Sequence, residues 1–204
     1  ISKYKYVTSL ALSESGDSLA IGSVYADGSG EIRSEILYLE VGKKEEIAKV
    51  DLENEAIWQL SFFDNDSFAV MTDKSLLFYD NDGDLDKRVN YPGVPNGAYI
   101  GKDGVLLLVS AADSRYQSAY LYDNDGDCDL KNYAIGGTSD GIAEDGKYYY
   151  LSVGKEILTF EKDGDSPTRA SLPKDAGKLV SDGERVYYAT SSYAKVLDDK
   201  AIGR

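Results

Sequence analysis

The chain has 204 residues and a formal net charge of −14, from 36 acidic and 22 basic side chains. This charge argues against long-range attraction to nucleic acid or to anionic membranes, which are also negatively charged. The sequence contains no histidine, which excludes Ser-His-Asp and Cys-His catalysis and histidine-ligated metals. Its 20 glycines and 17 tyrosines, with many β-branched residues, favour strands over helices.

The number of cysteines and the length of the apolar runs exclude further classes of protein. The single cysteine, Cys128, excludes an intrachain disulfide, and we interpret it as a small residue at the start of a strand. The longest apolar run, Val105 to Val109, is too short to span a membrane and is predicted to be a strand. The chain begins with Ile1 rather than Met, so we expect an excised or processed piece whose targeting segment would lie upstream.

Apolar runs alternate with Asx/Gly turns along the whole chain, which predicts antiparallel meanders. We predict repeat units at about 7–55, 57–95, 97–137, 141–175 and 177–204 within a single domain, with Pro92 to Pro95 as a connector. The predicted strands are Val7–Leu12, Ser18–Tyr25, Ile32–Val41 and Ile47–Leu52, then Ile57–Leu60, Ser67–Met71, Ser75–Tyr79 and Lys87–Tyr91, then a strand from Gly97, Val105–Ala111, Ser118–Tyr122 and Leu130–Ile135, then Gly141–Ala143, Tyr148–Val153, Glu156–Phe160 and Arg169–Leu172, and finally Lys178–Val180, Val186–Thr190 and Ala194–Leu197.

One turn sequence marks the repeat most clearly. Tyr-Asp-Asn-Asp-Gly-Asp occurs at 79–84 and at 122–127, and weaker copies end at Gly42 and Gly164. The four glycines are about 40 residues apart, and an aromatic residue precedes each by four positions: Tyr38, Tyr79, Tyr122 and Phe160. Asp, Asn and Gly accept the positive φ of tight turns, so this sequence predicts a hairpin in each repeat.

The second strand of each unit is a nearly continuous apolar run, such as Leu19–Val24 and Val105–Ser110. Such runs are typical of strands covered on both faces, whereas the charged fourth strands suit the solvent-exposed rim. A radial stack of about five four-stranded antiparallel sheets, an all-β β-propeller or part of a larger ring, satisfies both patterns. An incomplete ring would expose two sheet faces and could dimerise through them.

This layout, with its recurring Tyr-Asp-Asn-Asp-Gly turn, resembles the WD40-like and quinoprotein-like β-propellers over Val7 to Leu197. More narrowly, it resembles uncharacterised propeller domains of surface proteins of Gram-positive gut bacteria. The resemblance implies a propeller fold and an extracellular or cell-surface location, and it implies no catalytic residue, because those domains have no assigned site. The Trp-Asp and Gly-His pairs of WD40 repeats are absent from this sequence.

The two full copies of the turn offer carboxylates at alternate positions, which is a chemistry suited to calcium. Their spacing matches no calcium loop well, since counting from Asp80 places Leu85 at position six and Tyr91 at position twelve of an EF-hand. Plain hairpin turns are therefore the favoured interpretation, with calcium as the alternative. The candidate ligands are Asp80, Asp82, Asp84, Asp123, Asp125 and Asp127.

Tyrosine clusters and two long loops are the other candidate features. Tyr148 to Tyr150, Tyr187 and Tyr188 could stack on carbohydrate, but their positions in strands favour packing between sheets. The loops at Ala26–Glu31 and Ala111–Gln117 each join a second strand to a third, and loops on rigid scaffolds often bind ligands.

These observations predict a non-enzymatic binding or interaction scaffold, with an unidentified protein or glycan as its partner and no cofactor. The alternative is a ligand- or calcium-binding propeller that acts as a sensor or as a carboxylate-based hydrolase. Converging carboxyl groups with raised pKa values would favour that alternative.

Overall fold

The fold was obtained as a computed structural model, which describes residues 5–43, 45–65, 67–112, 114, 116–162, 167–172 and 177–197. Those residues form 19 strands and no helix. The strands of the first two sheets are β1 (Tyr6–Leu12), β2 (Ser18–Ala26), β3 (Ile32–Glu40) and β4 (Glu45–Glu53), followed by β5 (Ile57–Phe62), β6 (Phe68–Thr72), β7 (Ser75–Tyr79) and β8 (Leu85–Asn90).

The remaining strands are β9 (Val94–Gly101), β10 (Gly104–Ser110), β11 (Gln117–Tyr122) and β12 (Cys128–Ala134), then β13 (Gly141–Glu144), β14 (Tyr148–Val153), β15 (Glu156–Glu161) and β16 (Thr168–Ser171), and finally β17 (Lys178–Ser181), β18 (Val186–Ala189) and β19 (Ala194–Val196). Consecutive strands pair to give four four-stranded sheets and one three-stranded sheet. The all-β prediction is confirmed, and the last sheet has three strands within the described residues. The weak repeat copy at Gly164 lies outside the described residues.

The predicted connector at Pro92 to Pro95 is shorter than expected, because β9 already begins at Val94. Pro95 lies in β9, the edge strand of the third sheet. Proline lacks a backbone N–H, but an edge strand leaves one side of its backbone unpaired, so the missing donor is tolerated there.

The chain divides into two compact units. The first consists of the first two sheets together with Ile100–Val105 and Asn124–Asp127, and the second contains the remaining described residues. In the first unit, one cluster of aliphatic and aromatic side chains lies between the first and second sheets. In the second unit, one cluster joins β10, β11, β14 and β15, and another joins the fourth and fifth sheets.

Phe68 is at the centre of the first cluster. Its ring lies 5.1 Å from that of Tyr79, 5.4 Å from that of Tyr38 and 5.5 Å from that of Phe62. Tyr38 therefore projects from the first sheet towards the second, whereas Tyr79 projects from the second sheet towards the first. The aromatic register read from the sequence is wrong at Tyr38, and Leu39 occupies the equivalent position, because Leu39 pairs with Leu19 as Tyr79 pairs with Phe68.

Burial of the second strands differs between sheets. All residues of β6 and β10 are buried, which confirms the expectation that these strands are covered on both faces. In β2 that expectation is wrong, because Leu19 and Ile21 are only half-buried. The apolar pattern is the same in these strands, so the difference lies in whether a neighbouring sheet covers the second face.

Candidate functional site

The repeated turns bury their glycines against the preceding sheet. Gly83 has a φ of +81°, and a Cβ at this position would lie 2.3 Å from the Cβ of Ala48 in β4. Gly126 has a φ of +77°, and a Cβ there would lie 2.8 Å from the ring of Phe78 in β7. Each glycine is required both by its left-handed backbone and by a close approach to the preceding sheet. A Cβ at Gly42 would meet no described atom within 4 Å, so the first copy of the turn lacks this close approach.

Carboxylates of the same turns form hydrogen bonds and an ion pair with other groups of the protein. The Oδ1 atom of Asp80 accepts hydrogen bonds from the backbone N–H groups of Asp82 (3.0 Å) and Asp84 (2.8 Å). In the second turn, Asp127 forms an ion pair with Lys87 of β8. Asp82, Asp84, Asp125 and Asp127 are exposed, and Asp80 and Asp123 are half-buried. Among the described residues, no group of three or more acidic or cysteine side chains is arranged to hold a metal ion.

Calcium binding by these turns stays the untested alternative to plain hairpin turns, and a thermal melt in millimolar calcium against excess chelator tests it. Calcium at about 100 times its dissociation constant would add about 2.7 kcal/mol to the free energy of unfolding. For a chain of this length that raises the midpoint by roughly 5–10 °C. Because Asp80 and Asp127 are already engaged, we expect no shift. A shift that Asp82→Ala or Asp125→Ala removes would make these turns metal sites.

A buried polar network lies in the first unit and was not predicted from the sequence. Its centre is Glu55, which lies in the connector between β4 and β5 and is 8% exposed. The Oε2 atom of Glu55 accepts hydrogen bonds from the hydroxyls of Thr72 and Ser75, both at 2.8 Å. Its Oε1 atom forms an ion pair with Arg88 of β8. The backbone carbonyl of Glu55 also accepts a hydrogen bond of 2.6 Å from the hydroxyl of Ser34, so the network joins the first sheet to the second.

These contacts determine the ionisation of Glu55. Burial alone would raise the pKa of its carboxyl group, but the hydrogen bonds from Thr72, Arg88 and Ser75 outweigh burial and lower the pKa below its ordinary value. The carboxylate is therefore charged at neutral pH and saturated with donors, so it is poorly suited to act as a general acid.

The arrangement recurs with other charges in the first sheet. Lys49 of β4 pairs with Leu37 as Arg88 pairs with Leu77, so the two cations occupy equivalent positions in the repeat. Lys49 forms an ion pair of 2.9 Å with Glu35, which Lys5 also contacts. Burial opposes the charge on Glu35, yet the two lysines lower the pKa of its carboxyl group. In the fourth sheet Arg169 pairs with Glu156 at 2.8 Å in the same way. A cation on the fourth strand is thus a repeated structural contact.

The long loop between β2 and β3 is organised by one carboxylate. Asp27 accepts hydrogen bonds from the backbone N–H groups of Ser29 (2.8 Å) and Glu31 (3.1 Å), and from the Nε atom of Arg33 (3.1 Å). The hydroxyl of Ser29 donates a further bond of 2.6 Å, and the bonds from Ser29 above all hold the pKa of Asp27 well below its usual range. The loop between β10 and β11 is described only in part, since residues 113 and 115 lie outside the described residues.

The resolved pKa shifts of the carboxyl groups share one direction. Among the described carboxyl groups, every resolved shift is downward, at Asp27, Glu35, Glu55 and Asp182. The described side chains that lose a proton to become negative and whose pKa is raised are all tyrosines. Burial raises the pKa of Tyr79, for example, to about 12. Tyr38, Tyr79, Tyr149, Tyr150 and Tyr188 are buried, which agrees with a packing role for the tyrosine clusters.

Two aromatic residues of the first unit are exposed instead. The side chain of Trp58 in β5 is 49% exposed, and that of Tyr6 in β1 is 68% exposed. Both strands are edges of their sheets. The backbone N–H of Leu60 donates a hydrogen bond of 3.0 Å to the hydroxyl of Ser9, so β1 and β5 are adjacent. We call Tyr6 and Trp58 the inner-edge surface, because they lie on the first strands of adjacent sheets.

The sequence matches one known protein family. A family model described as a family of unknown function, DUF5711, matches residues 1–196. The chain belongs to the DUF5711 family. No curated protein is similar in sequence to this DUF5711 chain.

Solved structures similar to the DUF5711 chain are WD40 β-propellers. Hsv2 of Kluyveromyces lactis has a TM-score of 0.61 and 9% identity, covering 98% of this chain and 61% of its own. The WD40 domain of Neurospora crassa Pan2 has a TM-score of 0.59 and 8% identity, covering 93% and 61%. The C-terminal WD40 domain of Sif2 has a TM-score of 0.57 and 13% identity, covering 100% and 70%. These likenesses confirm a WD40-like propeller fold, and the chain spans about three-fifths of Hsv2.

The described residues contain no helix long and apolar enough to span a membrane. The family match and the similar structures define the family and the fold. Neither a family of unknown function nor a fold shared at such low identity assigns an activity.

Proposed function

We propose that this protein is a non-enzymatic binding scaffold that engages a protein partner through the inner-edge surface. The half-exposed Trp58 on β5, an edge strand of the second sheet, carries the proposal. Tryptophan and tyrosine are enriched at protein interfaces, where they supply a large apolar area with little conformational entropy to lose. Both strands are sheet edges, and an edge strand can pair with an extended peptide along the part of it that lies outside the bond from Leu60 to Ser9.

The charge of the chain supports a protein or glycan partner over nucleic acid, because a net charge of −14 repels phosphates. The downward pKa shifts of the described carboxyl groups favour binding over carboxylate-based hydrolysis. We further propose the location implied by the sequence resemblance, at the surface of a bacterial cell, and immunolabelling of intact cells tests that location directly.

Selection of a displayed peptide library on the immobilised protein tests the binding proposal. Trp58 is the only tryptophan of the chain, so its emission reports binding at this surface without a label. We expect selected peptides to shift Trp58 emission to shorter wavelength. Trp58→Ala is expected to weaken their affinity by roughly 30-fold, the effect of losing about 2 kcal/mol at an anchor residue.

Tyr116→Ala is the matched control, because Tyr116 is an exposed aromatic (67%) in the other unit and should leave the affinity unchanged. Peptides that bind Trp58→Ala as tightly as the wild type would place the binding surface elsewhere. If no peptide is enriched but a glycan array gives Trp58-dependent binding, the partner is a glycan and the protein-partner proposal is wrong.

A further inference from the structure

The third sheet carries the one Asn-Gly pair of the sequence. Asn96 and Gly97 lie in β9, an edge strand of that sheet, and the side chain of Asn96 is exposed. Asparagine is a thermolabile residue, because the backbone nitrogen of the next residue can attack its carboxamide. Glycine in the next position leaves that nitrogen unhindered and its backbone free to turn. The pair is therefore a candidate for a covalent change that needs no enzyme.

The backbone at Gly97 departs from a regular strand. Gly97 has a φ of +155°, a conformation that residues with a side chain rarely adopt. A Cβ at this position would meet no described atom within 4 Å, so the ring that forms in the reaction has space on this side. An edge strand pairs within its sheet on one side only, so it opens more readily than a central strand.

The carboxamide of Asn96 is bound to the neighbouring strand through its nitrogen. The Nδ2 atom donates a hydrogen bond of 2.7 Å to the hydroxyl of Ser110 in β10 and one of 3.0 Å to the backbone carbonyl of Val94. Ser110 is 9% exposed, so its hydroxyl has a fixed place beside this nitrogen. A serine hydroxyl both accepts and donates, so it can turn its proton towards the nitrogen once the nitrogen has become a basic amine.

We propose that Asn96 deamidates spontaneously in the folded chain, with the hydroxyl of Ser110 as the proton donor to the departing nitrogen. The backbone nitrogen of Gly97 loses its proton to hydroxide and forms a bond to Cγ of Asn96. The bond from Cγ to Nδ2 then breaks, and the nitrogen leaves as ammonia with the proton of Ser110, which water replaces. Water hydrolyses the succinimide ring at either carbonyl and leaves an aspartate or an isoaspartate at this position.

The reaction depends on local geometry alone. The attacking and attacked groups are neighbours in the chain, and Ser110 lies in the same compact unit. Asn90 in β8 and Asn132 in β12 are also exposed strand residues, but a tyrosine follows each of them. A large side chain crowds the attacking nitrogen and restricts its backbone. These two asparagines are therefore controls within the same sample.

Either product weakens the attachment of β9 to β10. A carboxylate at this position cannot donate a hydrogen bond to Ser110, and it repels the carbonyl oxygen of Val94. Isoaspartate also adds a methylene to the main chain, which shifts the register of the residues that follow. The reaction is thus an irreversible change that loosens an edge of the third sheet with time.

Incubation of the purified chain at mildly alkaline pH, followed by proteolysis and mass spectrometry, tests the proposal. Over days to weeks, we expect the peptide that contains Asn96 to gain the mass difference between a carboxyl group and a carboxamide. The peptides that contain Asn90 and Asn132 should stay unchanged. The rate should rise with pH, because the attacking nitrogen must first lose its proton. The same chain unfolded in urea gives the rate in the absence of β9 and of the bond to Ser110.

Three variants test the roles of the two neighbours. Gly97→Ala is expected to slow the reaction by about tenfold or more, since a Cβ on the attacking residue hinders its approach. Ser110→Ala is expected to slow it several-fold, whereas Ser110→Thr retains the hydroxyl and should react close to the wild-type rate. Circular dichroism establishes that each variant keeps the fold.

Three results would overturn the proposal. The first is an Asn96 that keeps its carboxamide in the folded chain under conditions in which the urea-unfolded chain loses it, because the strand would then protect this residue. The second is conversion of Asn90 or Asn132 at the rate of Asn96, which would leave the local geometry without a role. The third is an unchanged or faster reaction in Ser110→Ala, because the bond to Ser110 would then restrain the carboxamide instead of assisting its loss.

Discussion

The Glu55→Ala variant is expected to lose about 2–4 kcal/mol of the free energy of unfolding. Removing this carboxylate leaves the hydroxyl of Ser75 without its acceptor and the guanidinium of Arg88 without its counter-ion, whereas the hydroxyl of Thr72 keeps the carbonyl of Ser75 as an acceptor. The loss is smaller than that for a fully buried ion pair, because the side chain of Arg88 is 37% exposed and water compensates part of its charge. Urea unfolding followed by circular dichroism measures the change.

Glu156→Ala is the matched control for Glu55→Ala. Glu156 pairs with Arg169, which holds the position of Arg88 in the fourth sheet, but the side chain of Glu156 is 43% exposed. An exposed pair contributes about 0–1 kcal/mol, so this variant should unfold close to the wild type. Equal losses in the two variants would show that burial of the network around Glu55 contributes nothing beyond an ordinary surface pair.

The same network makes stability depend on pH. Because the folded-state pKa of Glu55 is lowered, its ionisation stabilises the fold above the unfolded value of about 4.5 and this contribution is lost as pH falls through the lower folded pKa. Glu35 adds a contribution of the same sign. A Glu55→Gln variant, which cannot ionise, should show a weaker loss of stability between neutral and acidic pH than the wild type.

The Gly83→Ala variant is expected to lose about 2–4 kcal/mol, whereas Gly42→Ala should change little. At Gly83 the left-handed backbone costs an alanine about 1–2 kcal/mol, and the added methyl collides with Ala48 and forces the first sheet or the turn to move. Gly42 is the same residue of the repeat read from the sequence, but its surroundings are open. Chemical unfolding of both variants under one set of conditions provides the comparison.

Equal behaviour of the two glycine variants would contradict the packing role of the repeated turn. A loss at both positions would mean that the close approach to Ala48 does not account for the effect, and no loss at either would mean that the turn relaxes away from Ala48. Gly126→Ala is a further check, since its methyl would collide with the ring of Phe78, which can move more easily than a backbone.

Strands and turns are predictable from the sequence because their causes are local. Alternation of side chains and the conformational needs of Asp, Asn and Gly operate over a few residues, so the strand at Val105 to Val109 and the turns at Gly83 and Gly126 are predicted correctly. The strand position of Pro95 is not predictable in this way, because edge position, which makes proline acceptable, is a property of the whole sheet.

The candidate sites are less predictable because their partners are distant in sequence. Glu55 contacts Thr72, Ser75 and Arg88, which lie 17, 20 and 33 residues away, and an isolated Glu in a polar connector gives no signal of that network. Half-burial of Leu19 is equally hidden, since its apolar run is like that of β6. Exposure of Trp58 depends on which sheet edge is free, and hydropathy does not encode that.

Pairing of strands only with their sequence neighbours has a consequence for how the chain folds. In the hairpin of β1 and β2, the two paired residues that are farthest apart in sequence are Tyr6 and Val24. The loop that must close is therefore short, and its entropic cost is small. Each meander can thus form quickly by itself, which is unusual for an all-β protein, where distant pairings slow folding. A lone meander still exposes both of its apolar faces, so we expect it to persist only once the next one emerges from the ribosome and docks.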